Sequence, residues 1–123
     1  MSYRDYIEAL KSIPETEDGR MPHHDVSQGE YRDVRYRIRQ VAFWFCAYIE
    51  VPKDTVDDDV DCHGGVTFTS STGWPFSEDK LKPGCKIIGW DYNHFGDYDM
   101  HYTEKDVLRD IKYTIDTLKE EKE

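Results

Sequence analysis

The sequence predicts an α+β fold, in which a small antiparallel sheet carries an N-terminal helix and a C-terminal amphipathic helix. Three observations predict it. Residues 31–51 combine strict alternation with a nearly unbroken aromatic and β-branched run, patterns typical of half-buried and fully buried strands. Residues 103–118 repeat apolar side chains at helical spacing. The length of 123 residues suits a single domain, 1–123, with a modest core.

The N-terminal part, residues 1–30, predicts a helix followed by a loop. The apolar side chains of the helix recur at helical spacing: Tyr3, Tyr6, Ile7 and Leu10. Pro14 ends the predicted helix. Residues 14–29 contain two prolines, two glycines and many polar side chains, which predicts a loop. The pair His23 and His24 falls in this loop, where we expect solvated imidazoles rather than metal ligands.

Residues 31–102 are expected to form the sheet. Side chains alternate along residues 31–40, and the arginines that share one face of this strand are Arg35, Arg37 and Arg39. Such a row can bind phosphate groups, but the net charge of −10 favours the solvent-facing side of an edge strand. Residues 41–51 predict the central, most buried strand, in which Cys46 is an inert core residue.

Two shorter strands, at residues 66–71 and 85–90, are predicted to pair antiparallel across the loop between them. Residues 103–123 form the predicted C-terminal helix, with Thr103 as N-cap and Asp106 at the third helical position of a capping box. The apolar stripe of this helix consists of Val107, Leu108, Ile111, Ile115 and Leu118. We expect that stripe to pack on the sheet.

Composition excludes several classes of partner. With 16 basic and 26 acidic residues, the chain is repelled by nucleic acid and by membrane surfaces, and is attracted to basic proteins. The three cysteines, Cys46, Cys62 and Cys85, have no framework spacing, so we expect reduced thiols. The N-terminal residues show no signal peptide, and no apolar run approaches the roughly 20 residues of a membrane span. These features predict a cytoplasmic protein.

A run of aspartates forms the most acidic segment of the chain. Its members are Asp54, Asp57, Asp58, Asp59 and Asp61. A calcium loop would need alternating ligands, a central glycine and a terminal glutamate, and the run has none of these. The two remaining interpretations are a solvated loop and a patch that meets a basic partner.

The stretch Gly89–His101 and the segment Cys62–Gly65 predict a metal site. If the strands that they flank pair antiparallel, the start of one lies beside the end of the other. The candidate ligands brought together are His63, Asp91, His94 and Asp97. Two imidazoles and two carboxylates suit Zn²⁺, or iron, manganese or nickel. Hydrogen-bonded His–Asp pairs are the alternative, and Cys62 is a rival ligand that a regular strand would turn the other way.

The segments "CHGGVTF", Cys62–Phe68, and "GWDYNHFGD", Gly89–Asp97, resemble two motifs of a family of small proteins of phages, prophages and bacteria. The motifs are His-Gly-Gly-(Leu/Ile/Val)-Thr-(Tyr/Phe) and Gly-(Phe/Trp)-Asp-x-x-His-x-Gly-Asp, followed by a Thr-capped helix. The resemblance covers residues 47–118. It departs at residues 52–61, where this chain is shorter and carries the aspartate run. The resemblance strengthens the metal hypothesis and implies a role among phage proteins that block bacterial defence, including anti-CRISPR proteins.

Two classes of function remain at this point. The first is a phage-encoded inhibitor in the host cytoplasm that binds a CRISPR effector nuclease, of type II, through Asp54–Asp61, with a structural Zn²⁺. The second is a small metal-dependent hydrolase, in which His63, His94 and one aspartate bind the ion and the other aspartate acts as general base. The coordination number separates them, because structural zinc is closed by four protein ligands and catalytic zinc keeps one position open.

Overall fold

A computed structural model describes residues 3–11 and 22–121 of the chain. Its elements are α1 (Tyr3–Lys11), β1 (His23–Tyr31), β2 (Val34–Val41), β3 (Trp44–Pro52), a 3-10 turn (Asp57–Asp59), β4 (Phe68–Ser70), β5 (Cys85–Asp91), α2 (Phe95–Met100) and α3 (Glu104–Glu121). The strands form one antiparallel sheet in the order β1-β2-β3-β5-β4. The predicted α+β class is therefore confirmed.

Strand β3 is the central strand, as its aromatic and β-branched sequence predicts. Side chains of β3 pack with those of α3 and of the neighbouring strands to form the main core. This core includes Ile38, Ala47, Ile49, Ile88, Trp90, Val107, Ile111 and Ile115. Each fully buried isoleucine contributes about 1.5–3 kcal/mol of transfer free energy. On the opposite face of the sheet, Cys46, Tyr48, Ile87 and Trp74 form a second, smaller cluster.

Helix α3 begins with the predicted capping box. The backbone N–H of Thr103 donates to Asp106 Oδ2 at 2.9 Å, and the backbone N–H of Asp106 donates to Thr103 Oγ1 at 3.2 Å. These two bonds satisfy backbone donors that the first helical turn leaves without intrahelical partners. The predicted stripe faces the sheet: Val107, Ile111 and Ile115 are fully buried, and Leu108 and Leu118 pack at the margin.

The arginine row of β2 is not the solvent-facing side of an edge strand, so that interpretation was wrong. Strand β2 lies between β1 and β3, and Arg37 and Arg39 are only 8% and 6% exposed. The segment that follows β4 crosses the sheet face that carries these arginines and places aromatic rings over their guanidinium groups. The Arg37 guanidinium lies 4.5 Å from the Trp74 ring centre, and that of Arg39 lies 4.5 Å from Phe76.

The predicted loop at residues 14–29 was wrong for its second half, because His23–Tyr31 form strand β1. Both histidines of the predicted solvated pair therefore lie on this strand. Strand β1 pairs with β2 through a two-residue turn, Arg32 and Asp33, in which both residues have positive φ, as tight hairpins require. Residues 12–21, which hold the first half of that loop, lie outside the described residues. In the described ranges, no helix has the length and apolar character needed to cross a membrane.

Candidate metal centre

The predicted pairing of the two short strands brings the candidate site together. Phe68 of β4 lies opposite Gly89 of β5, and the Thr67 backbone N–H donates to the Gly89 carbonyl at 2.9 Å. The chain before β4 turns tightly, with the Gly65 N–H bonded to the Cys62 carbonyl at 3.1 Å. His63, within this turn, therefore lies beside the residues that follow β5.

Asp97 is the centre of the site and is 7% exposed. Its Oδ1 lies 2.8 Å from His63 Nε2, and its Oδ2 lies 2.9 Å from His94 Nδ1. The Asp97 Oδ2 also accepts the His94 backbone N–H at 3.0 Å. His94 is the N-cap of α2 and Asp97 its third residue. The short helix thus fixes the spacing between the second imidazole and the carboxylate.

The donor set fits a transition-metal ion. One ligand atom from each of His63, His94 and Asp97 lies within 4.8 Å of the other two. Around tetrahedral zinc, with bonds of about 2.0–2.2 Å, neighbouring ligand atoms are about 3.3 Å apart. The two imidazole–carboxylate contacts, at 2.8 and 2.9 Å, go to the two different oxygens of Asp97 and are shorter than this spacing, so both must lengthen for an ion to enter. The same contacts without a metal are ordinary hydrogen bonds.

Asp91, the fourth predicted ligand, lies at the margin of the group. Its Oδ1 is 3.9 Å from His94 Nδ1 and accepts the Asn93 backbone N–H at 3.1 Å. Its Oδ2 accepts the Thr67 hydroxyl at 3.2 Å. Among the described residues, three side chains therefore form the donor set. Asp91 is held beside them by its own hydrogen bonds.

Two tyrosines hold the His63 ring in place. Tyr92 stacks on it at 4.4 Å with planes 12° apart, and Tyr102 meets it edge-on at 5.0 Å. The Tyr92 hydroxyl donates to Asp110 at 2.6 Å and accepts the Trp90 indole N–H at 3.3 Å. Burial, together with the bond to Asp110, raises the pKa of Tyr92 far above its usual value. Tyr92 is therefore a neutral, fixed platform that orients the imidazole.

A cavity of about 270 Å³ adjoins the metal centre. We call it the aromatic cavity, because most of its wall consists of Phe43, Trp44, Phe45, Tyr92 and Tyr102. Its polar wall residues are Asp97 and His101. Asp97 thus belongs both to the donor set and to the cavity. Apolar walls with a few convergent polar groups are typical of small-molecule sites.

The cysteines do not join the donor set. Cys62 is partly buried against the main core, and burial, followed by the charge of Asp61, raises the pKa of its thiol to about 11. Burial, followed by the charge of Asp91, likewise raises the pKa of Cys46 to about 11. A metal-binding or reactive cysteine requires the thiolate. The raised pKa values therefore favour inert thiols at both positions.

The acidic segment is a surface loop with two internal anchors. Asp57 pairs with Lys86 at 2.9 Å, and Lys86 also donates to the Thr55 carbonyl at 2.8 Å. Asp61 accepts the Tyr113 hydroxyl at 2.8 Å. The other three carboxylates, those of Asp54, Asp58 and Asp59, are exposed and have no hydrogen-bond or ion-pair partner within residues 3–11 and 22–121. We call these three residues the acidic patch.

Sequence analysis did not identify Tyr92, Tyr102 or His101 as parts of a site. Tyr92 lies inside the motif that predicts the metal ligands, so its position between Asp91 and His94 was the available signal. His101 ends the stretch Gly89–His101 that predicts the metal site but is not among the candidate ligands, and Tyr102 directly precedes the N-cap of α3, a position that sequence analysis interprets only through helix capping. Comparisons with protein-family models, with curated proteins and with solved structures found no match.

Proposed function

We propose that the protein is an inhibitor that acts by binding a basic, nucleic-acid-handling protein, and that Zn²⁺ at His63, His94 and Asp97 stabilises its fold. The partner that we propose is a host defence nuclease, a type II CRISPR effector. The observation that carries the binding mode is the acidic patch, three exposed carboxylates without a partner among the described residues. The resemblance to phage proteins supplies the partner class.

The anchors of the acidic loop support a preorganised contact surface. Lys86 and Tyr113 hold Asp57 and Asp61 from β5 and α3, and the 3-10 turn Asp57–Asp59 fixes the residues between them. A loop held in one shape loses less conformational entropy on binding than a mobile loop. Asp57 and Asp61 therefore support the loop, whereas the acidic patch makes the contacts.

Net charge supports the same mode of action. A chain of charge −10 accelerates its encounter with a basic groove that has evolved to hold nucleic acid, and salt weakens this steering. Charges of this kind affect the association rate more than the dissociation rate. The protein then competes with the nuclease's own nucleic acid for a positively charged surface.

Titration against a guide-loaded type II CRISPR effector tests the proposal. DNA cleavage should fall in proportion to added protein and stop near one protein per nuclease, and association should slow as salt rises. The triple variant Asp54→Asn, Asp58→Asn, Asp59→Asn should weaken binding at least tenfold and retain bound metal. The matched control changes the same amount of charge elsewhere, with Glu8→Gln, Glu78→Gln and Glu120→Gln.

Two results would overturn this binding mode. One is turnover, in which a trace of protein inactivates an excess of nuclease. The other is equal loss of affinity in the patch variant and in the charge-matched control, because only total charge would then matter.

A metal-dependent hydrolase is the second candidate, favoured by the number of grouped donors. Three protein ligands beside a cavity are the arrangement of catalytic zinc, and zinc bound there would lower the pKa of water to about 7. Asp91, which lies 3.9 Å from His94 Nδ1, would accept the proton that this water loses. Zinc-loaded protein should then hydrolyse a p-nitrophenyl ester or phosphate. Asp91→Asn should lower kcat while zinc stays bound, and a rate equal to that of free zinc would exclude this function.

A further inference from the structure

We propose that the aromatic cavity is a ligand pocket of the metal centre, and that its occupant is a small aromatic acid whose anionic oxygen binds the metal. This inference rests on the metal centre of the proposed function and is independent of the acidic patch. It assigns a ligand class to a cavity that partner binding does not use.

The first step is the number of donors. His63, His94 and Asp97 supply three ligand atoms within 4.8 Å of one another. Asp91, the fourth predicted ligand, is engaged by Thr67 and by the Asn93 backbone. A transition metal held by three protein ligands takes a fourth donor from outside the chain. The centre is thus suited to an exchangeable ligand.

The second step is the position of the cavity. Asp97 belongs to its wall, and so do Tyr92 and Tyr102, the two rings that contact His63. The walls of the cavity and the supports of the metal ligands are therefore partly the same side chains. A molecule in the cavity lies next to the donor set rather than at a separate surface.

The third step is the chemistry of the occupant. Five aromatic rings favour a flat apolar body, which packs by offset stacking or edge-to-face contact. A volume of about 270 Å³ lies just under the roughly 300 Å³ at which drug-sized sites begin, so the occupant is small. A divalent ion beside one carboxylate and two neutral imidazoles carries a net charge of about +1. Among the residues that the structure describes, the wall contains no lysine or arginine, so the metal attracts the anionic group.

Cobalt-substituted protein tests this pocket, because the visible spectrum of Co²⁺ reports its coordination directly. Benzohydroxamate should change the spectrum and bind at least tenfold more tightly than acetohydroxamate, which has the same donor group without the ring. Phe43→Ala, at another residue of the cavity wall, should lower the affinity for benzohydroxamate about tenfold and leave that for acetohydroxamate unchanged. Phe68→Ala is the control, because it also removes an aromatic ring, one that contacts Tyr48.

Equal affinity of wild-type protein for the two probes would overturn the proposal, and this comparison requires no variant to fold. Failure of the protein to bind Co²⁺, or an unchanged spectrum at saturating probe, would overturn it as well. None of these three results bears on inhibition through the acidic patch, which the nuclease titration measures separately. Conversely, loss of nuclease binding with intact discrimination between the probes would reject the proposed partner and keep the pocket.

Discussion

Gly64 lies directly against the ring of His94. A Cβ atom on Gly64 would be 2.5 Å from His94 Cε1 and 3.1 Å from its Nε2, closer than carbon atoms approach without displacement. Gly64 also has a φ of +72°, a conformation that glycine adopts without a steric penalty. The glycine of the first motif and the histidine of the second therefore fit together, which explains why both segments are needed to build the site.

The contact predicts that Gly64→Ala displaces His94 and weakens metal binding by about 10–100-fold, the usual effect of changing a group that orients a ligand. Gly65→Ala is a matched control, because Gly65 has a φ of +81° but open space around its Cβ position. Both variants should lose about 1–2 kcal/mol of stability through backbone strain. Zinc titration and urea unfolding measure the two effects, and equal zinc affinity of the two variants would exclude the contact.

The metal centre predicts that His94→Ala removes bound metal and most of the thermal stabilisation that zinc gives. Zinc sites in small structural domains contribute free energy on the order of 10 kcal/mol. Elemental analysis measures the bound metal, and melting curves with and without added zinc measure the thermal stabilisation. His24→Ala, at an exposed position of strand β1, should behave like wild type. Wild-type protein that is purified without chelator, contains no metal and is no more stable than the His94 variant would support simple hydrogen bonding.

The packing of α3 predicts that Ile111→Ala lowers the free energy of unfolding by about 2–5 kcal/mol, because Ile111 is fully buried in the main core. Lys105→Ala, on the exposed side of the same helix, should change it by less than about 0.5 kcal/mol. Urea unfolding of both variants provides the measurement. A surface-like effect at Ile111 would show that α3 is not held against the sheet.

The Glu50–Arg35 pair predicts a pH dependence of stability. Burial of Glu50 opposes its ionisation, but the hydrogen bonds from Arg35 and from the Lys82 backbone N–H outweigh burial and lower its pKa. A lowered pKa in the folded state gives stability that is present above the unfolded value, 4.5, and is lost as pH falls through the folded value.

Urea unfolding between pH 7 and pH 3 should therefore show a smaller loss of stability in Glu50→Gln than in wild type. The variant should be less stable than wild type at pH 7, because Arg35 then lacks its carboxylate. Glu78→Gln, at an exposed position, should follow the wild-type curve. Parallel curves for wild type and Glu50→Gln would show that the pair does not couple folding to protons.

Strong local periodicity allowed much of the fold to be predicted from sequence. The spacing from Thr103 to Asp106 and the apolar repeat through Ile111 depend only on neighbours along the chain, and both predictions are confirmed. Strand β1 was missed for the opposite reason. Its residues, such as His24 and Gln28, are polar because they lie at the edge of the sheet. Its structure depends on pairing with β2, which local composition does not show.

The buried arginines show a second limit of sequence analysis. Arg37 and Arg39 become buried because Trp74 and Phe76, more than 30 positions along the chain, place their rings over the guanidinium groups. No periodicity encodes such a distant contact. At the metal centre, strand pairing correctly placed His63 beside His94 and Asp97. The short helix α2 was not predicted, and its geometry decides that Asp97, rather than Asp91, lies between the two imidazoles.

The irregular register of β1 limits how this sheet can grow by addition of another chain. The pairing of β1 with β2 shifts between Asp25 and Ser27, so the strand presents two short regular runs, His23–Asp25 and Ser27–Tyr31, instead of nine continuous residues. A β-bulge bends and twists an edge strand locally, and such an interruption discourages edge-to-edge association. The interrupted register therefore disfavours fibrous aggregation through β1, the longer of the two edge strands.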